Sequence, residues 1–162
     1  MRILGIDPGI GRCGWAIIEK NGSSFKAISY GCIETSSKKE VGKRLEEIYI
    51  EITEIIKKYS PKSLSIEDLF FNNNAKTAFV VGQARGVILL AAAQNGLDIE
   101  IYTPLQVKMA LTGYGRAEKS QVGRMVKTVF GLKEIPKPDD TADALAIALT
   151  GGFSSKISKY SK

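Results

Sequence analysis

Four acidic residues of this 162-residue chain stand where a carboxylate has few ordinary reasons to be. Asp7 ends the apolar run ILGID and precedes Pro8-Gly9. Glu67 ends SLSIE, after Leu64 and Ile66. Asp140 and Asp143 lie in DDTADALAIAL. Each has a plain structural reading alone. Asp7 can form a turn, Glu67 can end a strand, and Asp139 or Asp140 can cap a helix or offset its dipole from the first turn. Asp143 is the hardest to dismiss, because Ala144, Ile147 and Ala148 continue its stripe and read as buried. Asp140 and Asp143 are three apart and share a helical face. Close carboxylates repel unless a cation sits among them, and hard divalent ions such as Mg²⁺ or Mn²⁺ take oxygen ligands of this type. The chain has no histidine and no paired cysteine spacing, which argues against zinc and against Ser-His or Cys-His nucleophiles. Two metals held by shared carboxylates suit phosphodiester hydrolysis.

The charge distribution points to an anionic partner. The net charge is +6, and between Pro104 and Lys133 the cations Lys108, Arg116, Lys119, Arg124, Lys127 and Lys133 face one anion, Glu118. A cluster of this kind is the footprint of a phosphate-backbone binder, although a solvated helix face carries similar charge. Lys119 lies near a helix start that already favours anions, and suits charge stabilisation at a scissile phosphate. Phe70 and Phe71 are followed by three asparagines and read as loop aromatics able to stack on an unpaired base.

The elements that must position these residues are legible in the periodicities. Residues 2–7, 13–20 and 25–35 read as three strands of an antiparallel meander, with Asn21-Gly22 as the hairpin turn. Val41, Leu45, Ile48, Ile52, Ile55 and Tyr59 mark an amphipathic helix that Ser60-Pro61 stops. A fourth strand, 63–67, follows this crossover helix and is expected parallel to a meander strand, which would set Glu67 beside Asp7. A helix from Ala75 to Gln94 is apolar almost all round in VILLAAA, which predicts burial on more than one side. Its glycines Gly82 and Gly86 allow close approach, so it is a candidate dimer interface. Residues 98–102 make a fifth strand, and helices follow over 104–111, 117–130 and 139–150. The sum is an α/β chain with a mixed five-stranded sheet flanked by helices, the order of the ribonuclease H-like fold. Half of an actin-like ATPase has a similar order, but this chain lacks the length for that fold's second domain. We expect one domain over residues 1–152 and a basic, flexible tail over 153–162. Cys13 and Cys32 read as reduced core residues, as in a cytoplasmic protein. The N-terminus lacks a signal-peptide pattern, and no run of 18 apolar residues exists to span a membrane.

GIDPG, SIEDLFF, GQARG, GYGRAEKSQV and DDTADALAIA, in this order and spacing, resemble the RuvC-type Holliday-junction resolvases of bacteria. The resemblance runs from Arg2 to about Gly151. It implies a homodimeric, metal-dependent endonuclease with Mg²⁺, or Mn²⁺, as cofactor, two ions per site. Such an enzyme nicks two strands of like polarity at a four-way DNA junction during recombination and repair, with the RuvA–RuvB branch-migration motor as partner. The family's four acidic ligands fall on Asp7, Glu67, Asp140 and Asp143; Asp139 is adjacent, and the three-residue step to Asp143 favours Asp140. Its two catalytic basic residues fall on Lys108 and Lys119. Its junction-opening aromatic falls on Phe70, with Phe71 next to it. Arg116, Arg124 and Lys127 are further expected DNA contacts.

Overall fold

The computed structural model describes residues 1–68 and 75–154. The elements are β1 (Arg2–Asp7), β2 (Arg12–Asn21), β3 (Ser24–Glu34), α1 (Val41–Tyr59), β4 (Ser63–Glu67), α2 (Ala75–Gln94), β5 (Asp98–Tyr102), α3 (Pro104–Thr112), α4 (Lys119–Phe130) and α5 (Asp139–Ser154). The sheet order is β3-β2-β1-β4-β5. The first three strands pair antiparallel through their hairpins, and β4 and β5 add in parallel after the crossovers through α1 and α2. This is the mixed, ribonuclease H-like sheet expected from the order of patterns.

Alternation along the strands sorts side chains into two cores. Leu4, Ile6, Ile17, Leu64 and Ile66 pack with Ile48, Ile52, Ile55 and Ile56 of α1 and with Ala84, Ile88, Ala91 and Ala92 of α2. On the other face, Ile3, Ala16 and Ile18 meet α3, α4 and the buried run Ala144–Leu149 of α5. The same period of two places Asp7 with Ile3 and Gly5, and Glu67 with Ser63 and Ser65, on the α5 side.

Several details differ from the sequence reading, each for a physical reason. Asn21 pairs with Ser24, so the hairpin loop is Gly22-Ser23 rather than Asn21-Gly22, and Gly22 takes the positive φ of 62°. Helix α4 begins at Lys119 instead of residue 117: the Ala117 N–H closes a turn onto Tyr114 O, and the Gln121 side chain accepts from the Glu118 N–H at 2.7 Å. Helix α5 continues past residue 150 to Ser154. Gly151 and Gly152 are buried against the sheet, and the Phe153 ring packs edge-on to Phe25 at 5.1 Å. That packing outweighs the poor helix propensity of two glycines.

Helix α2 packs against both α1 and the sheet, but it is not buried all round. Ala84, Ile88, Ala91 and Ala92 are covered, whereas Phe79 is 68% exposed and Leu90 53% exposed. Helix α1 and the sheet cover the inner side, and the exposed Phe79, Gly86 and Leu90 lie away from them. By length and composition Thr77–Gln94 (mean hydropathy 1.3) would suffice to cross a membrane, unlike the expectation from unbroken run length. In the fold its inner face is packed against α1 and the β-strands.

Candidate active site

The register of the two central strands sets the first two acids. Ile6 pairs with Ile66, so Asp7 and Glu67, one step on, leave adjacent parallel strands side by side, about 5 Å apart. The turn after Asp7 is tightly held. A β-carbon at Gly9 would overlap the Arg12 carbonyl. The Thr35 N–H donates to Gly11 O at 3.1 Å, its hydroxyl donates to Ile10 O, and Arg44 Nε donates to that hydroxyl at 2.8 Å. Thr35, just past the end of β3, and Arg44 of α1 thus fasten the loop that follows Asp7.

The other two acids arrive because α5 rests directly on the sheet backbone. A β-carbon at Gly14 would overlap the Asp140 carbonyl. One at Gly5 would overlap the Ala144 carbonyl and lie 2.5 Å from Ala148 Cβ. Two strand glycines therefore let the first turns of α5 sink toward β1 and β2. Asp139 and Asp140 occupy that first turn, and Asp143 follows one turn on.

The electrostatics record the convergence. The Asp7 carboxyl is pushed up to about 8, first by burial and then by the charges of Asp143, Glu67 and Asp140, with Lys119 opposing. Glu67 is pushed up to about 7, by burial and by Asp143, against Lys119 and Lys108. Burial also raises Asp143, although its bond to Lys119 pulls the other way. Lys119 Nζ lies 2.7 Å from Asp143 Oδ2 and 3.6 Å from Asp139 Oδ2. Burial lowers the Lys119 ammonium pKa, but the Asp143 hydrogen bond and the charges of Asp143, Asp139 and Asp7 outweigh it, and the net shift is upward. Among the described residues, no three acids are drawn close enough to enclose one ion in this arrangement. The donor set nevertheless fits a hard divalent cation. It is all carboxylate oxygen and half-buried, and burial with mutual repulsion raises Asp7 and Glu67 for want of positive charge.

The remaining expected residues are placed as follows. Lys108 lines a cleft of about 220 Å³ with Glu67, Lys119 and Asp143. Arg116, Arg124 and Lys127 are exposed and form no ion pair among the described residues. Phe70 and Phe71 lie outside the described residues. The sequence reading does not single out Gly5 and Gly14 as points of close approach, although an isolated glycine inside a strand is the available signal. Nor does it find Asp139 as a second partner of Lys119, which no spacing rule reveals.

The family described as Crossover junction endodeoxyribonuclease RuvC matches residues 3–151. This chain belongs to the RuvC family. It is 56% identical over 161 residues to the crossover junction endodeoxyribonuclease RuvC of Caldicellulosiruptor saccharolyticus, covering 99% of this chain and 97% of that one. The RuvC structure from Thermus thermophilus superposes with a TM-score of 0.90 at 36% identity, covering 98% of this chain and 97% of that chain. T. thermophilus RuvC in complex with Holliday junction substrate superposes at 0.89 with 34% identity, covering 97% of this chain and 96% of that chain. RuvC membership and the approach of the acids to one end of the sheet rest on different observations.

Proposed function

We propose that this chain resolves four-way (Holliday) DNA junctions by hydrolysing phosphodiester bonds symmetrically in two strands of like polarity, during recombination and repair in the cytoplasm. The observation that carries this reading is the approach of Asp7, Glu67, Asp140 and Asp143 to one another beside two lysines, in a chain of the RuvC family. These four carboxylates are the metal ligands. Bound among them, two Mg²⁺ ions, or Mn²⁺, would neutralise charge on the scissile phosphate and the departing 3′ oxygen and acidify the attacking water. Lys119 gives up its contact with Asp143 to the phosphate, keeping Asp139 as its second partner, and Lys108 approaches the phosphate from the Glu67 side of the cleft. Arg116, Arg124 and Lys127 hold the DNA backbone, and Phe70 or Phe71 stacks at the opened junction.

Residues 1–152, with α5 closing them, act as one nuclease domain. The chain works as a homodimer, so that two sites meet one junction. Phe79, Gly86 and Leu90 recur at seven- and four-residue steps along the uncovered side of α2, and a β-carbon at Gly86 would meet nothing within 4 Å. This stripe supports a self-association face. The RuvA–RuvB motor is the proposed upstream partner.

A synthetic four-way junction with Mg²⁺ and a linear duplex control tests the reading. Wild-type protein should make paired symmetric nicks and spare the duplex. Asp7→Asn, Glu67→Gln, Asp140→Asn and Asp143→Asn should each lose more than about 100-fold in single-turnover rate, more than a supporting residue costs, while junction affinity changes little. Cutting confined to an RNA strand, or collapse of junction binding in all four variants, would defeat it.

A further inference from the structure

The GQARG segment of α2 contributes none of the four acids or two lysines, yet its arginine reaches the edge of their site. The Arg85 side chain is only 17% exposed. Its Nε donates to the main-chain carbonyl of Glu67 at 3.3 Å, and its Nη2 lies 3.4 Å from Asp68 Oδ1. The Asp68 N–H donates to Tyr102 O at 2.8 Å. The end of β4 is therefore tied to β5 by the ladder and to α2 by a guanidinium. A carbonyl at the last step of a strand has run out of ladder partners and needs another donor if it is covered. A guanidinium so sheltered needs acceptors in turn, and its planar fork can serve a carbonyl and a carboxylate together.

We infer that Arg85 is a positioning residue for the reaction. It locks the main chain at Glu67–Asp68 and so sets the direction in which the Glu67 carboxylate meets Asp7 and Asp143. Arg85 acts from the face of the sheet opposite α5, and touches neither the phosphate nor the reacting atoms. The inference rests on the proposed role of Glu67 as a metal ligand.

The test compares wild type with Arg85→Ala, Arg85→Lys, Asp68→Asn and Glu67→Gln. Three quantities are read: Mn²⁺ binding to the DNA-free protein, from the spin-resonance signal of unbound Mn²⁺; single-turnover junction cleavage; and junction affinity without metal. Arg85→Ala should weaken Mn²⁺ binding about 10-fold, the usual cost of losing a group that orients a ligand. It should slow cleavage at limiting Mn²⁺ to match, with recovery at high Mn²⁺ and junction affinity within about twofold. Arg85→Lys serves one acceptor but not both and should fall between; Asp68→Asn keeps the bond to the Glu67 carbonyl and should be mildest. Wild-type Mn²⁺ binding by Arg85→Ala overturns the inference. So does a loss of junction affinity in step with rate, which would make Arg85 a DNA contact. If near-ultraviolet circular dichroism shows Arg85→Ala unfolded, Arg85→Lys decides, and wild-type Mn²⁺ affinity there is the contrary result. Glu67→Gln separates the two readings. If it binds Mn²⁺ as wild type does, the ligand role of Glu67 falls and Arg85 with it; if it does not, while Arg85→Ala does, only the Arg85 inference falls.

Discussion

Asp7 and Glu67 are carboxyl groups that the fold keeps partly protonated until positive charge arrives, and this has a consequence for stability. Their ordinary values are 3.8 and 4.5, and the fold pushes them up to about 8 and about 7. Above pH 4 the unfolded chain releases protons that the folded chain retains. The stability these groups contribute is therefore full below about pH 4 and is lost as pH rises through about 7 to 8, at no more than about 1.4 kcal/mol per pH unit per retained proton. In a chelator, wild type should lose thermal stability relative to Asp7→Asn between pH 5 and 8, and Mg²⁺ should restore more of it at pH 8 than at pH 5. Melting temperatures across that range check this. A wild-type curve parallel to that of Asp7→Asn, with a pH-independent effect of Mg²⁺, would be the contrary result. The Lys119 ammonium moderates the repulsion without removing it, because it meets Asp143 and Asp139 rather than Glu67.

Helix α5 delivers half of the acidic set, and its depth on the sheet depends on atoms that are missing. At Gly5 an added methyl would meet the backbone of Ala144 and the β-carbon of Ala148, both inside the buried run of α5. Neither can swing away as a flexible side chain could. Gly5→Ala should cost about 1–3 kcal/mol of stability, the range for overpacking a core. It should also reduce cleavage further than the remaining folded fraction explains, because the helix carrying Asp140 and Asp143 is lifted from Asp7. Gly42→Ala in α1 is the matched control. Its added β-carbon meets nothing within 4 Å, and it should be neutral or stabilising by up to about 1 kcal/mol through helix propensity. Denaturant titration with single-turnover rates on the same preparations distinguishes the two. Equal loss of rate and folded fraction in Gly5→Ala would show that the glycine serves stability alone.

The chain as a unit pairs one covered face of α2 with one uncovered face, and one acidic site with a basic segment. Phe79 and Leu90 on the outer face of α2 are more than half exposed, which is the apolar surface that the proposed self-association would cover. Leu90→Glu places a charge within that stripe without touching the inner core. On the proposed homodimer, wild type should sediment as a dimer, and the variant should stay folded, sediment as a monomer at the same concentration and yield single rather than paired nicks on a junction. Persistence of the dimer in Leu90→Glu would move the interface elsewhere.

Much of this is legible in the local pattern of the chain. Strands and helices declare themselves through periods of two and of three to four, so the order of all ten elements follows from that pattern. The types of residue that could do chemistry, hard oxygen ligands without histidine and a basic segment beside them, follow from composition. Element ends are less legible. Helix α5 runs on to Ser154 because Gly152 and Phe153 find Phe25, a partner more than a hundred residues away, and local propensity knows nothing of it. The outer face of α2 could not be told from a buried one, because VILLAAA is apolar in every direction and only the placement of α1 and the sheet decides which direction is covered. The same holds for the site. Sequence determined that Asp7, Glu67, Asp140 and Asp143 exist, with oxygens suited to a hard cation, at strand ends and at a helix start. Only the tertiary structure decided that they meet, through the parallel register of β1 with β4 and the glycines that let α5 sink, because pattern encodes which side of an element seeks cover and not which partner supplies it, or how closely.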